Sequence, residues 1–140
     1  MSSSYGDFNN ALVKDLRANG GRASSGPFKG RDVLILTTKG AKSGDTRVNP
    51  VAFSRDDGKL VIVASKGGAP TNPAWYHNLL AHPEVTLEVL GDRFKARAWV
   101  ADDADYERLY ANHAGIHAGF NDYRKRTTRK IPVVVLERIV

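Results

Sequence analysis

Apolar positions along the chain change period several times, and each change marks an element. Phe8, Leu12, Val13 and Leu16 recur at helical spacing, which predicts a short amphipathic helix over 8–18 that Gly20 and Gly21 stop. Ala23-Ser24-Ser25-Gly26-Pro27 reads as a flexible link. Val33-Leu34-Ile35-Leu36 is a continuous apolar run of strand length, the pattern of a buried strand. Lys39 to Thr46 is a turn with two glycines, and Val48 to Ser54 is a second strand. Pro50 donates no amide, so that point belongs at an edge or a bulge. Asp56-Asp57-Gly58-Lys59 is a hairpin turn, and Leu60 to Ala64 is the third strand.

The second half alternates more cleanly. Asn72-Pro73 reads as an N-cap followed by proline at the first helical position, and Pro83 ends that helix near His82. Val85, Leu87 and Val89 alternate with Thr86, Glu88 and Leu90 as in a half-buried strand, and Gly91-Asp92 turns the chain. Phe94, Ala96, Ala98 and Val100 alternate with Arg93, Lys95, Arg97 and Trp99 in a fifth strand. Asp102 or Asp103 can cap a helix from about Ala104 to His113, with Tyr106, Leu109, Tyr110 and His113 on one face. Gly115 to Lys130 is open between loop and short helix, and Val133 to Leu136 is a last apolar strand. The sum is six short strands in mostly hairpin order, with helices at the start, in the middle and before the last strand. Hairpin order with isolated helices predicts a mainly β, α+β barrel rather than a doubly wound parallel sheet.

Composition narrows the classes. A chain of 140 residues is long enough for one sizeable core, and it shows no internal repeat. It has no cysteine, which excludes disulfides, thiolate metal sites and a Cys nucleophile. No apolar run approaches the roughly 20 residues of a membrane helix, and the N-terminal residues lack signal-peptide order. The expectation is therefore a cytoplasmic protein. A net charge of +6 suits an anionic partner, or simply a solubilising surface.

Where the charges sit changes that picture. Lys39, Lys42 and Arg47 flank a Gly-bearing turn, and turn amides beside Lys and Arg make an anion site. A solvated charged hairpin would read the same. Lys66 ends another strand beside Ser65 and Gly67-Gly68, just before a helix start at Asn72 to Trp75, which adds to the anion reading. Trp75 and Tyr76 also fit as ordinary core aromatics. Gly40-Ala41-Lys42-Ser43-Gly44 lacks the Gly-Lys-Ser and the earlier glycine of a P-loop. His113 and His117 have the spacing of two metal ligands, but Ala114 stands where a zincin needs Glu and no third ligand is evident, so no metal is expected. His117, Phe120 and Tyr123, spaced by three between glycines and Arg124-Lys125-Arg126, form a pocket wall or one packed helix face.

The two central stretches, Leu36-Thr37-Thr38-Lys39-Gly40-Ala41-Lys42-Ser43-Gly44-Asp45-Thr46-Arg47-Val48-Asn49-Pro50 and Ala64-Ser65-Lys66-Gly67-Gly68 with Asn72-Pro73-Ala74-Trp75-Tyr76-His77-Asn78-Leu79, resemble the deazaflavin-dependent nitroreductase family. The closing Arg129-Lys130-Ile131-Pro132-Val133-Val134-Val135-Leu136 resembles its last strand, so the likeness runs from about residue 30 onward. The resemblance implies a six-stranded split β-barrel of the flavin and deazaflavin type over 31–140, preceded by a helix and linker over 1–30. It implies coenzyme F420, a deazaflavin with a phosphodiester and an oligoglutamate tail, and hydride transfer to quinones or nitroaromatic compounds. By motif position, the loop of Ala41, Lys42, Ser43 and Arg47 should meet the phosphate and tail. Val48, Asn49, Pro50, Val51 and Ala52 should line the ring. Val63, Ala64, Ser65 and Lys66 should border it on the other side, with Ala74, Trp75, Tyr76, His77 and Asn78 presenting the helix start. A well-known member carries a row of tyrosines before the last strand; here Tyr123 keeps one, and Phe120 and His117 stand at the matching places. Ser65 is the expected hydrogen-bond donor to the acceptor and Tyr123 the expected proton donor. The resemblance also allows a homodimer and weak peripheral membrane contact. Two rivals remain: an FMN- or FAD-dependent enzyme of the same fold, and a non-catalytic module binding F420 or nucleic acid. No nucleic-acid motif supports the last, so no nucleic-acid partner is expected.

Overall fold

The continuous apolar run forms β1 (Val33–Lys39), buried from Val33 to Leu36. It is paired on both sides, with β2 (Thr46–Ala52) and with β5 (Glu84–Val89). A strand covered on both faces has no solvent-facing position to fill, which is why this stretch does not alternate. With β3 (Ser54–Asp56), β4 (Lys59–Val63), β6 (Asp92–Val100) and β7 (Val133–Arg138) it makes one antiparallel sheet, ordered β2-β1-β5-β6-β7-β4-β3. The structure is a computed structural model and describes residues 4–139.

The sheet has seven strands where six were expected. The stretch Val48 to Ser54 does not run as one strand. It bends at Phe53, whose amide donates to Asp32 O at 3.0 Å and whose side chain is fully buried. β2 therefore stays against β1 while β3 swings across to β4. The two outermost strands of the sheet are thus joined through one residue, and the sheet curls back on itself. Pro50 lies on β2, at the sheet edge, as its missing amide predicts.

Both tight turns use left-handed backbone. Asp57 (φ 49°) and Gly58 (φ 76°) connect β3 to β4, as in the hairpin turns whose twist matches the strands. The β5–β6 turn is Leu90 (φ 50°) and Gly91 (φ 86°), one position earlier than Gly91-Asp92, because Asp92 already pairs with Val89.

Four helices surround the sheet: α1 (Ser4–Ala18), α2 (Ala74–Ala81), α3 (Asp103–Ile116) and α4 (Gly119–Tyr123). Leu34, Leu36, Phe53, Ile62, Leu87, Ala96, Val134 and Leu136 fill the inside of the curl with Trp75 and Leu79 of α2. On the outside, Leu12, Val13 and Leu16 of α1 cover Val33 and Ile35. Tyr106, Leu109 and Tyr110 of α3 cover Val61, Val63, Val133 and Val135. Burial of the α3 face follows the expected spacing, and Asp102 is the cap, its carboxylate accepting from Asp105 N at 3.0 Å. Val100, expected inward, is 39% exposed, since β6 outlasts the barrel wall and hands over to α3 there. Among the described residues no helix is long and apolar enough to cross a membrane.

Candidate active site

Strands β1 and β4 point the same way in the sheet, so the loops that leave them rise at one end. The first loop, 40–45, is closed by its own backbone: Gly40 N donates to Asp45 O at 2.7 Å and Gly44 N to Gly40 O at 3.0 Å. A Cβ on Gly40 would fall 2.6 Å from Ser43 Oγ and 3.2 Å from Asp45 O, so a side chain there would displace Ser43 Oγ from its place in the turn. Ser43 Oγ accepts from Asp45 N at 3.1 Å and so works inside the turn. Helix α2 holds the turn from below. Buried Asn78 accepts from Ala41 N at 3.0 Å and donates to Thr38 Oγ1 at 3.1 Å.

On this fixed rim Lys39, Lys42 and Arg47 are exposed, and none forms an ion pair among the described residues. The basic residues of the outer β5–β6 face differ: Arg17 and Arg93 meet Glu88, and Lys95 meets Glu84. Uncompensated cations on a rigid turn concentrate positive potential where an anion would sit.

The second loop spans Ala64 to Asn72. Lys66, Gly67 and Gly68 all have positive φ, and a Cβ on Gly68 would lie 2.9 Å from Tyr123 O and from Arg126 Cβ. Glycine at 68 is therefore what lets this loop press against the segment after α3. Arg129 locks the same loop from within. Its guanidinium donates to Ala69 O (2.9 Å), Ser65 O (2.7 Å), Ala64 O (3.3 Å) and Asn72 Oδ1 (2.7 Å). Asn72 is thus spent on Arg129 and does not cap α2, whose N-cap is Pro73. Lys66 is also engaged, donating to Thr71 Oγ1 at 3.2 Å.

The segment Gly115 to Lys130 resolves into α4 and a 3₁₀ turn, Arg124–Arg126, with no buried residue in either. Phe120 and Tyr123 project from it with ring centroids 5.0 Å apart. With Ala52 and His117 they wall a cavity of about 200 Å³, which Pro27, Phe28 and Arg31 close from the link. The link is therefore not merely flexible chain: Phe28 meets Phe8 of α1 at 6.0 Å.

Of the residues singled out in the sequence, Ala52, Phe120 and Tyr123 meet in this cavity. Val48, Asn49, Pro50 and Val51 precede Ala52 along half-buried β2, with Val48 packed against the α1 cluster and Val51 against the inner core. Ser65 is buried at the base of the second loop, and Ala41 and Asn78 are hydrogen-bonded to each other. Val63 and Ala64 lie in the core, as does Trp75; Tyr76 packs beside that core, while Ala74 and His77 are exposed. The pattern missed Arg129, Phe28 and Arg31. Arg129 lies in the closing basic stretch, but nothing in its spacing shows that the guanidinium turns back under the loop.

His117 is part of the cavity wall, and His113 stands behind it. His113 Nδ1 is 3.0 Å from Ser54 Oγ, and His117 Nε2 donates to Phe53 O at 2.8 Å. Both rings are thus tied to the bend that closes the sheet. No group of three metal-ligating side chains gathers among the described residues. Burial, with a smaller contribution from His117, pushes His113 down to about 3. The unfolded chain takes up a proton at this ring near its ordinary value of about 6.5 and the folded chain does not. The stabilisation is thus complete above that value and is lost as pH falls towards about 3. The expected slope from this one group reaches about 1.4 kcal/mol per pH unit in the middle of that window. Urea unfolding at pH 7 and pH 5 should show it in the wild type and lose it in His113→Gln; equal slopes in both would refute the assignment.

A family model described as F420H(2)-dependent quinone reductase matches residues 10–138. An F420H(2)-dependent quinone reductase of Mycobacterium tuberculosis (strain H37Rv) is 44% identical over 108 residues, covering 75% of this chain and 72% of that protein. A solved F420-H2 dependent reductase superposes with a TM-score of 0.70 at 32% identity, over 76% of this chain and 95% of the other. A solved chain described as a domain-swapped dimer gives 0.71 at 27% identity, over 91% and 93%.

Proposed function

The chain belongs to the F420H(2)-dependent quinone reductase family, and from that premise we propose that it reduces a quinone with F420H2 at the cavity walled by Ala52, His117, Phe120 and Tyr123. What supports the site is the aromatic cavity at the Ala52 end of β2 together with the unpaired cations of Lys39, Lys42 and Arg47 at its other end. A cofactor that is flat at one end and polyanionic at the other needs both. The curled sheet is read as a split barrel of the deazaflavin-binding type.

The residues present fit such a group. Lys42 and Arg47 would hold the phosphodiester and tail, on a turn that Gly40 and Asn78 keep in shape. The half-buried backbone of Val48 to Ala52 would face the ring on one side, and Ser65 with the loop it anchors would face it on the other. Bound F420H2 supplies the hydride. Reduction of a quinone to the quinol takes two electrons and two protons, so beyond the hydride one proton must arrive from elsewhere. Ser65 donates a hydrogen bond to the acceptor oxygen. Tyr123 gives the proton and regains one from water, since α4 is exposed. Nitroaromatic compounds, flat and with electronegative oxygens, fit the same demands.

The homodimer reading draws on the domain-swapped relative and is checked by light scattering. A cytoplasmic protein with weak membrane contact is the reading of location; on α1, Phe8 is exposed at 42%.

Side-by-side fluorescence titration of F420 and FMN tests the proposal. F420 should bind and FMN should bind poorly. Equal or tighter FMN binding would replace the cofactor, and F420 binding without turnover of any quinone would leave a carrier module instead.

Lys42→Ala and Arg47→Ala should each weaken F420 binding. A hydrogen bond to a charged group contributes roughly 1.5–3 kcal/mol, on the order of 10- to 150-fold in affinity. Both side chains are exposed, so the low end is expected, with affinity falling as salt is added. Dissociation constants unchanged in both variants and insensitive to salt would rule out this rim.

A further inference from the structure

Among the described residues one buried side-chain polar atom lacks a hydrogen-bond partner, and it is His113 Nε2. The imidazole is fully buried, and its other nitrogen is taken by Ser54 Oγ at 3.0 Å. Either tautomer leaves Nε2 as an unsatisfied donor or acceptor, which is costly in a low-dielectric interior. Native structures rarely keep such an atom without a use for it.

Its surroundings indicate the use. His113 touches two side chains that line the cavity: His117, centroids 4.9 Å apart, and Phe120, 4.5 Å away and nearly perpendicular at 85°. Phe120 thus both packs against the His113 ring and lines the cavity. It sits on a five-residue helix with no buried residue and no side-chain cap, which follows Gly115. Phe120 O accepts from Tyr110 Oη at 2.7 Å and the ring packs on the core, so what can turn aside is the side chain and not the helix. His113 and Ser54, by contrast, are fixed in the core at the bend of the sheet.

We infer that His113 Nε2 is the hydrogen-bond partner of an oxygen of the electron acceptor, reached when Phe120 swings aside. The inference rests on the acceptor cavity assigned above and names its polar anchor. A quinone carries two carbonyl oxygens, and Ser65 with Tyr123 serves one of them. Bound at the other, His113 exchanges an unsatisfied buried atom for a made hydrogen bond. Acceptors with an oxygen opposite the reacting end are thereby favoured over plain aromatics. The neutral ring, kept so by its burial, can donate or accept without delivering a net proton.

Two variants separate the ring's nitrogens. Asn reaches the place of Nδ1 and keeps the Ser54 contact, whereas Gln reaches towards Nε2. His113→Asn should raise the KM for menadione about three- to tenfold with a smaller change in kcat, as for loss of one neutral hydrogen bond. His113→Gln should restore much of it, and F420 affinity should stay put in both. The direct readout is the ¹⁵N resonance of His113 Nε2 in the wild-type protein, titrated with menadione in the presence and in the absence of oxidised F420. A shift at saturation in either titration supports the contact. An Nε2 resonance that moves in neither, or a KM unchanged in His113→Asn, overturns it. F420 binding is read in the same samples, so failure of the cofactor assignment shows as absent F420 binding, independently of what His113 does.

Discussion

Arg129→Met is expected to cost about 2–4 kcal/mol of stability and to weaken F420 binding at the same time. The guanidinium satisfies the carbonyls of Ala64, Ser65 and Ala69 and the amide oxygen of Asn72. Ala64 is fully buried, so water cannot easily replace the lost donor at its carbonyl. Hydrogen bonds from a charged donor contribute about 1.5–3 kcal/mol each, but those sharing one side chain do not add, and the half-buried group is partly screened. Met keeps the aliphatic stem and removes only the donors. With the loop untied, Ser65 and Lys66 lose their fixed position. Arg126→Met is the control, since Arg126 makes a single 3.4 Å bond to Gly67 O. Urea unfolding should separate the two variants clearly; a change in Arg129→Met no larger than that of the control would sink the argument.

Tyr123→Phe should lower turnover with a quinone about 100-fold while leaving F420 affinity nearly intact. A positioned general acid contributes typically about 10²- to 10⁴-fold, and water reaching an exposed helix substitutes for part of it, so the low end applies. Tyr123 lines the cavity, and its hydroxyl takes no hydrogen-bond partner among the described residues. His117 is the competing donor. Its Nε2 is already bonded to Phe53 O at 2.8 Å, which leaves only Nδ1 for an acceptor. Single-turnover measurements decide between the roles. An undiminished rate in Tyr123→Phe would mean that the ring only packs against the acceptor. A pH–rate step that is lost in His117→Ala would transfer the role.

The strands were legible because each has one dominant period: continuous burial for β1, alternation for β5 and for β6 up to Ala98. What failed was local. Val48 to Ser54 looks like a single strand, and only the curl of the sheet, with Phe53 driven into the core, divides it. Asn72-Pro73 has the chemistry of a cap, yet the side chain is claimed by Arg129, distant in sequence. For the site, the loop of Ala41, Lys42 and Arg47 was readable because Gly-bearing turns and cations have short-range signatures. The wall at Phe28 and Arg31 was not, because a Gly-Pro link tells nothing of what it folds against. His113 was assigned to the helix's buried face correctly, but no pattern of spacing reveals that one of its nitrogens lacks a partner.

The place of β7 has a consequence for how the chain is made. It is the final strand in sequence but lies between β6 and β4, with four register pairs to one and five to the other. Until it emerges from the ribosome, β4 and β6 both present open edges flanked by apolar side chains, and the curl cannot close. Pairings this distant in sequence form slowly, on the millisecond-to-second scale typical of non-local sheets. Translation at about 5–20 residues per second therefore leaves a long interval in which β1 to β6 have been made but the curl is unsealed. A stop codon after Lys130 would make that interval permanent, and the truncated product should be cleared or aggregate rather than persist as a weakened enzyme.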